Sequence, residues 1–431
     1  MSIATATDED VPLFGRLVRQ HRVRIRLTQR ELADFSTISV RAIRDLEQGR
    51  ARRPRQDTVR LIADALRLGP RARADLEAAA TEGRTGWAVK AGYEAGPAAP
   101  PLATDLQVGR EAETAVLYGE LATGAERLVT VIGIDGVGRT RLALEVATRL
   151  HTTGGTPVLW CTLAEPAGGD RLAALVRAAA EQLLHPGPAT DDIAALVETI
   201  ADRPPLLVLD GVPATADPGR LVTLLRDVPG LRVMTTADRP LGLPGERTFL
   251  LNPLTVDETD PAGSPAVQLF LNRARRVRPD LDPDPADLDL MAGICRRLDG
   301  VPGALHAAAS WLIVYDLATL HRCLHDDPAT LLNHLTSPDA GAGLREALER
   351  RLAGLPAADR DLFEALCRRG DSFDLTDVTT LTGWSLPDSG RAVRALLLHG
   401  LIRPAYRAGQ AWFRILHTAR AAQLCAASIR G

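Results

Sequence analysis

GIDGVGRTRL, Gly133 to Leu142, is the stretch on which the reading of this chain turns. A β-branched run, LVTVIGI over 128–134, precedes it, and TRLALEVATRL over 140–150 comes after it, with Leu142, Val146 and Leu150 at helical spacing. Strand, glycine loop and helix in that order let backbone amides and a helix amino terminus surround a phosphate, and Gly133, Gly136 and Gly138 give the loop its freedom. A lysine commonly follows the last glycine of such a loop. Arg139 stands there instead, and a planar guanidinium does not sit between phosphates as a compact ammonium does.

The residues downstream supply the partners a phosphate loop needs. PLLVLDGV (205–212) is an apolar strand carrying Asp210, about where a magnesium-binding acid is expected. PVLWCTLA (157–164), LRVMTTA (231–237) and TFLLNPL (248–254) are further strand candidates, with helical stretches between several of them. Strands alternating with helices predict a parallel sheet.

Working outward to the amino end, residues 16–60 hold 13 arginines against five acids, although the whole chain of 431 residues carries a formal charge of only −3. Residues 12–80 read as a run of short helices. Thr28-Gln29-Arg30-Glu31 is a capping box, and Ser39 is a good N-cap for a second helix that puts Ile43 and Leu46 on one face and Arg41, Arg44 and Gln48 on another. An apolar back with a guanidinium front suits a helix lying in the major groove. The arginines of ARRPRQ (51–56) suit phosphates. This segment resembles the XRE-type helix-turn-helix domain of lambda-repressor-like regulators. The resemblance implies double-stranded DNA as partner, with Gln29, Ser39, Arg41 and Arg44 facing the groove and Arg50, Arg52, Arg53 and Arg55 near the backbone. Thr37 occupies the place of the usual turn glycine, so a local change in the turn is expected.

Residues 81–105, rich in Gly, Ala and Pro around GYEAGPAAPPLAT, read as a flexible linker. The chain beyond residue 105 resembles the NB-ARC type of STAND signalling NTPase. The resemblance rests on LQVGREAE (106–113), the loop, LLVLDG, VMTTADRPLGLPGE (233–246), LDGVPGAL (298–305) and FRILHTARAAQL (413–424), in the family's order. It implies a multidomain chain: an all-α helix-turn-helix domain at 12–80, an α/β P-loop NTPase-like domain with a parallel sheet at 106–255, a helical domain at 256–340 and a winged-helix-like domain at 341–431. It also implies ADP or ATP as ligand, with Val108, Gly109, Arg110, Gly133, Gly136, Val137, Gly138, Arg139, Thr140, Arg141, Asp210, Pro302 and His417 around it, and with Thr140 and Asp210 on Mg.

The departures from that family point one way. Arg139 replaces the lysine, Asp135 brings a carboxylate to the phosphate path, and Gly211 stands where a second acid is usual. A sensing arginine would fall at Asp238, with Arg239 one residue away, and Gly303 replaces a leucine beside Pro302. Each lost charge partner slows phosphoryl transfer by orders of magnitude, so efficient hydrolysis, and with it enzyme activity, is not expected. The expectation is a transcriptional regulator whose degenerate body controls assembly or DNA access. An active switch with Arg139 in the lysine's role and a scaffold without nucleotide are the alternatives.

Other features exclude more than they assign. The five cysteines are scattered, with no metal-ligand spacing, which suits a reducing compartment. MSIATATDED is acidic where a signal peptide is basic, and no apolar run reaches membrane-span length, so a cytoplasmic protein with no membrane partner is expected. His306, His321, Trp384 and Trp412 read as structural residues. No repeat follows the carboxy-terminal module, which leaves the signal unknown, and paired half-sites favour a homo-oligomer.

Overall fold

A computed structural model of the chain describes residues 13–25, 27–48, 51, 54–66, 68, 73, 76, 80, 99–103, 105, 107–163, 204–257, 259–326, 344–407 and 410–428. They belong to two compact units, one of residues 1–98, 167–203 and 226–229, the other of 99–166, 204–225 and 230–431. Most of the expected linker, and Arg50, Arg52 and Arg53, lie outside the described residues.

The first unit contains α1 (Leu13–Arg24), α2 (Gln29–Ser36), α3 (Val40–Glu47) and α4 (Gln56–Ala65). α2 starts at the capping box: the Thr28 hydroxyl accepts the Glu31 amide at 3.2 Å and the Thr28 amide donates to Glu31 at 2.7 Å. Ser39 caps α3 by accepting the Ala42 amide at 3.2 Å. The turn between them does not change for want of glycine. Thr37 itself adopts the left-handed conformation at φ 56°, and its hydroxyl donates to the Ser36 carbonyl at 2.7 Å. Phe14, Val18, Leu32, Ile43, Leu46, Val59, Ile62 and Leu66 form the core.

The second unit opens with α5 (Glu111–Thr123), then β1 (Leu128–Ile132), α6 (Arg139–Gly154), β2 (Val158–Thr162), β3 (Leu206–Val212), α7 (Gly219–Asp227), β4 (Arg232–Ala237) and β5 (Arg247–Leu250). The five strands form a parallel sheet in the order β2-β3-β4-β1-β5, with Val129 opposite Met234 and Thr130 opposite Thr235. Every residue of β1 and β4 is buried, β1 as a near-continuous apolar run and β4 with Arg232, Thr235 and Thr236 enclosed among its apolar residues. Because β1 is flanked by β4 and β5 while the chain leaves it for the far edge at β2, the crevice at its carboxyl end is a topological switch point.

Helices α8 (Pro265–Val277), α9 (Pro285–Arg297), α10 (Pro302–Ser310), α11 (Leu317–Asp326), α12 (Leu344–Ala353) and α13 (Ala357–Arg369) come next. The chain then runs through β6 (Ser372–Phe373), α14 (Leu375–Thr382), α15 (Leu386–Leu398), β7 (Ile402–Arg407), β8 (Gln410–Ile415) and α16 (His417–Ser428). β7 and β8 form a hairpin, and β6 joins it in an antiparallel sheet of order β6-β8-β7. One apolar core runs from Leu117 and Val131 through Phe270 and Leu305 to Phe363, Phe413 and Ala422, and Trp384 packs against it, as expected for a structural residue. His321 packs its ring against the Cα of Gly293, where an added Cβ would lie 2.5 Å from Nε2, which also fits a structural role.

Asp299 ties two of these elements together. At φ 56° it sits fully enclosed between α9 and α10, and its carboxylate accepts the His417 amide, the Thr418 amide and the Thr418 hydroxyl, each at 2.8 Å. Burial pushes this carboxyl up, an effect offset in part by His417 and the donors. It is the N-cap of α16, supplied from 118 residues away. Asp299→Ala removes the acceptor for three donors and should lower the unfolding free energy by about 2 kcal/mol, measurable by urea denaturation.

Candidate functional site

The loop between β1 and α6 is where the sequence places the phosphate cradle. Gly138 caps α6 in the left-handed conformation, and the first intrahelical bond runs from the Leu142 amide to the Gly138 carbonyl at 3.0 Å. The amides before Leu142 therefore project from the helix end without intrahelical acceptors, which is the arrangement an anion needs. The magnesium-type pair is also assembled. The Thr140 hydroxyl donates to Asp210 Oδ1 at 2.8 Å, and Thr236 donates to the same oxygen at 2.6 Å. Gly211, standing in for the usual second acid, has φ 80° and its amide donates to Thr236 Oγ1 at 2.8 Å, beside a shift in β3–β4 register. A side chain at that bulge would carry the cost of a left-handed backbone, which glycine avoids.

The cations do not point into the cradle. Arg139 Nη1 donates to the Gly133 carbonyl and to the Ala237 carbonyl, both at 2.8 Å, and to Asp238 at 2.6 Å, while Nη2 reaches Asp135 at 2.8 Å. Asp135 thus meets a guanidinium four residues on, and its charge is partnered. Arg141 turns to the Asp105 carbonyl at 2.9 Å and to Glu145 at 3.0 Å. Arg239, the alternative sensing residue, donates to the Ala214 carbonyl.

A residue that sequence reasoning missed completes the cluster. Arg351, on α12 and 7% exposed at its side chain, donates to the Gly133 carbonyl at 2.7 Å, to Asp238 at 2.9 Å and to the His399 carbonyl at 3.1 Å. Its Nε lies 3.8 Å from Asp135, beyond hydrogen-bond reach, and is a buried donor without a partner. Two guanidiniums and two carboxylates therefore meet at the carboxyl ends of β1 and β4. Burial pushes the Asp238 carboxyl up, but Arg139 and Arg351 override it and hold it below the usual carboxylate range. Burial likewise pulls Arg351 down against the opposite pull of Asp135 and Asp238.

The remaining residues expected around the loop pack it in place. Gly303, where a leucine was expected, donates its amide to the Gly136 carbonyl at 2.8 Å, and a Cβ there would lie 3.0 Å from Gly136 Cα. The two backbones touch, so the missing leucine reflects close approach and not only a lost contact. Pro302 is the first residue of α10, Val137 is buried, and Gly109, at φ 66°, packs on Pro265. Arg110 is buried, pairing with Glu113 at 2.9 Å and donating to the Val137 carbonyl at 3.3 Å. Val108 is half-buried next to them. His417 presents its amide to Asp299.

In the helix-turn-helix unit, Arg41, Arg44 and Arg55 are exposed, and Arg41 lies 3.9 Å from Asp45. Ser39 is exposed while capping α3. Gln29 is held from behind: its Nε2 donates to Glu47 at 2.6 Å, and Arg22 binds the same carboxylate through Nε at 2.6 Å and Nη2 at 2.9 Å. Among the described residues no group of His, Cys, Asp and Glu could hold a metal by itself, and no helix is long and apolar enough to cross a membrane.

Because Asp238 titrates below its unfolded value near 4, its pairing is fully in place above that pH and is lost as pH falls through the lowered folded value. The stability gap between the natural protein and Asp238→Asn should therefore be flat from about pH 7 to about pH 4 and close below it, as followed by urea denaturation.

Residues 13–87 match a family model described as a helix-turn-helix domain. An uncharacterized protein of Mycobacterium tuberculosis is 37% identical over 209 residues, 47% of this chain and 50% of that protein. A relative from the same organism, named as an HTH-type transcriptional regulator, is 33% identical over 186 residues, 43% of this chain and 20% of its own length. The chain thus spans half of the first relative and a fifth of the second. Among solved structures, Cdc6p from Pyrobaculum aerophilum is similar at a TM-score of 0.28 and 13% identity, over 77% of this chain and 97% of that one.

Proposed function

We propose that this chain is a sequence-specific DNA-binding transcriptional regulator. In this reading, residues 12–80 read DNA, and a degenerate NB-ARC-type body controls assembly or DNA access. The body comprises a P-loop domain at 106–255, a helical domain at 256–340 and a winged-helix domain at 341–431. The last assignment is supported by the element order helix, β6, helix, helix, β7, β8 over 357–415. The observation that carries the reading is the pairing of an exposed arginine face on a capped second helix with a loop whose cation is spent on the protein itself. Arg139 makes four contacts within the fold, so it does not reach a γ-phosphate without breaking them.

The cradle amides and the Thr140–Asp210 pair support retained ADP or ATP binding with Mg, Thr140 and Asp210 being the metal-facing residues. When bound, Mg would neutralise phosphate charge. Without a free lysine or a sensing arginine, turnover is not part of the proposal, and nor is an enzyme classification. Binding as a homo-oligomer to paired half-sites would add affinity, and a cytoplasmic site of action follows from a DNA partner.

Two assays test this. Replacing Arg41 and Arg44 with Ala should remove about 1–3 kcal/mol of preference for the cognate site over random duplex, read by fluorescence anisotropy on genomic fragments. Unchanged preference would contradict the groove assignment. Purified protein with MgATP should release no phosphate above an Asp210→Ala control, whereas release that disappears in that control would establish the active-switch alternative.

A further inference from the structure

Asp135, Arg139, Asp238 and Arg351 cluster at the base of the loop, with Arg350 beside them. Asp238 is shared by Arg139 at 2.6 Å and Arg351 at 2.9 Å, Asp135 is held by Arg139 at 2.8 Å, and Arg350 stands 4.0 Å from Asp135. Three guanidiniums thus face two carboxylates, and the buried Nε of Arg351 lacks an acceptor. Cations left in excess beside an anion-binding helix end, one with an unfilled donor, are a site for more negative oxygen than the protein itself supplies.

We propose that Asp135 and Asp238 stand in for phosphate oxygens, and that a nucleoside polyphosphate competes with them for Arg139 and Arg351, loosening α12 from the loop. The inference deepens the reading of the body as a nucleotide-responsive unit and rests on it. In the closed form Arg351 reaches across from α12 to the Gly133 carbonyl and Asp238, while the Gly400 backbone following α15 packs on Ile134, where an added Cβ would lie 2.2 Å from Cγ2. The carboxy-terminal module is therefore held on the loop by the protein's own groups. A phosphate arriving at the α6 amides places its charge beside Asp135 and Asp238, and like charges at that distance cannot all keep the same two guanidiniums. The carboxylates yield, and with Asp238 goes the ion pair that fastens α12. Ligand then opens the body instead of fastening it.

The test measures ADP and inorganic pyrophosphate binding by calorimetry, without Mg, on the full chain and on Asp238→Asn and Asp135→Asn variants whose thermal melts show that they fold. Removing a competing carboxylate should tighten both ligands by about tenfold. Hydrogen exchange at the amides of 344–353 should speed up when ADP is added to the natural protein. If the variants bind and the natural protein does not, the carboxylates block the site outright, no ligand opens the natural body, and the proposed competition is overturned. Equal affinities in all three proteins, or slower exchange at 344–353 with ADP, would overturn the competition while leaving the nucleotide reading intact. Binding by none of them at millimolar ligand would remove the nucleotide reading and this inference with it.

Discussion

The body of this protein is organised around one carboxylate. Asp238, at the carboxyl end of the strand beside β1, is gripped by Arg139 from the start of α6 and by Arg351 from a helix more than a hundred residues on. The same two guanidiniums converge on the Gly133 carbonyl at 2.8 and 2.7 Å, so the end of β1 is fixed from both sides. Arg351 is 7% exposed at its side chain and Asp238 41%, so removing the acid leaves a buried guanidinium with one fewer charged partner. That constraint sets the path of the loop, the direction of Arg139 and the seat of the carboxy-terminal helices.

The unusual residues around the loop are one coupled arrangement. An arginine where a lysine is usual can span four acceptors in a planar fork, which an ammonium on a flexible stem does not do. Asp135 and Asp238 supply two of those acceptors, and Arg351 balances the second acid. Gly211 and Gly303 follow from backbone geometry, a positive φ at a bulge and a contact between two main chains. The smaller unit uses the same device: Glu47, buried, fixes Arg22 and Gln29 and so sets the angle between α1, α2 and α3.

Local signals made much of this legible. The capping box at Thr28, the N-cap at Ser39 and the β-branched run before the loop all depend on neighbours a few residues apart, and each stands within one or two residues of its expected place. The turn at Thr37 was less legible because the αL cost of a threonine is offset by its hydroxyl bond to Ser36, which no propensity registers. The site divided along the same line. Thr140 and Asp210 could be paired from motif spacing, but the direction of Arg139 could not, because it depends on Asp238 and on the fold bringing β4 beside β1. Arg351 lies in no motif, Asp299 lies in LDGVPGAL with nothing local to mark its role, and their partners are 113 and 118 residues away. An acid four residues before Arg139 was the one local hint that this cation had an internal partner.

A double-mutant cycle between Asp238 and Arg351, using Asp238→Asn, Arg351→Gln and the pair, measures the central interaction most directly. If the carboxylate fastens the carboxy-terminal helices to the loop, the unfolding free energies at neutral pH will show a coupling of about 1 kcal/mol or more between the two sites. Effects that simply add, to within about 0.3 kcal/mol, would mean that the two side chains are neighbours without being partners, and the account of the loop as internally held would fail.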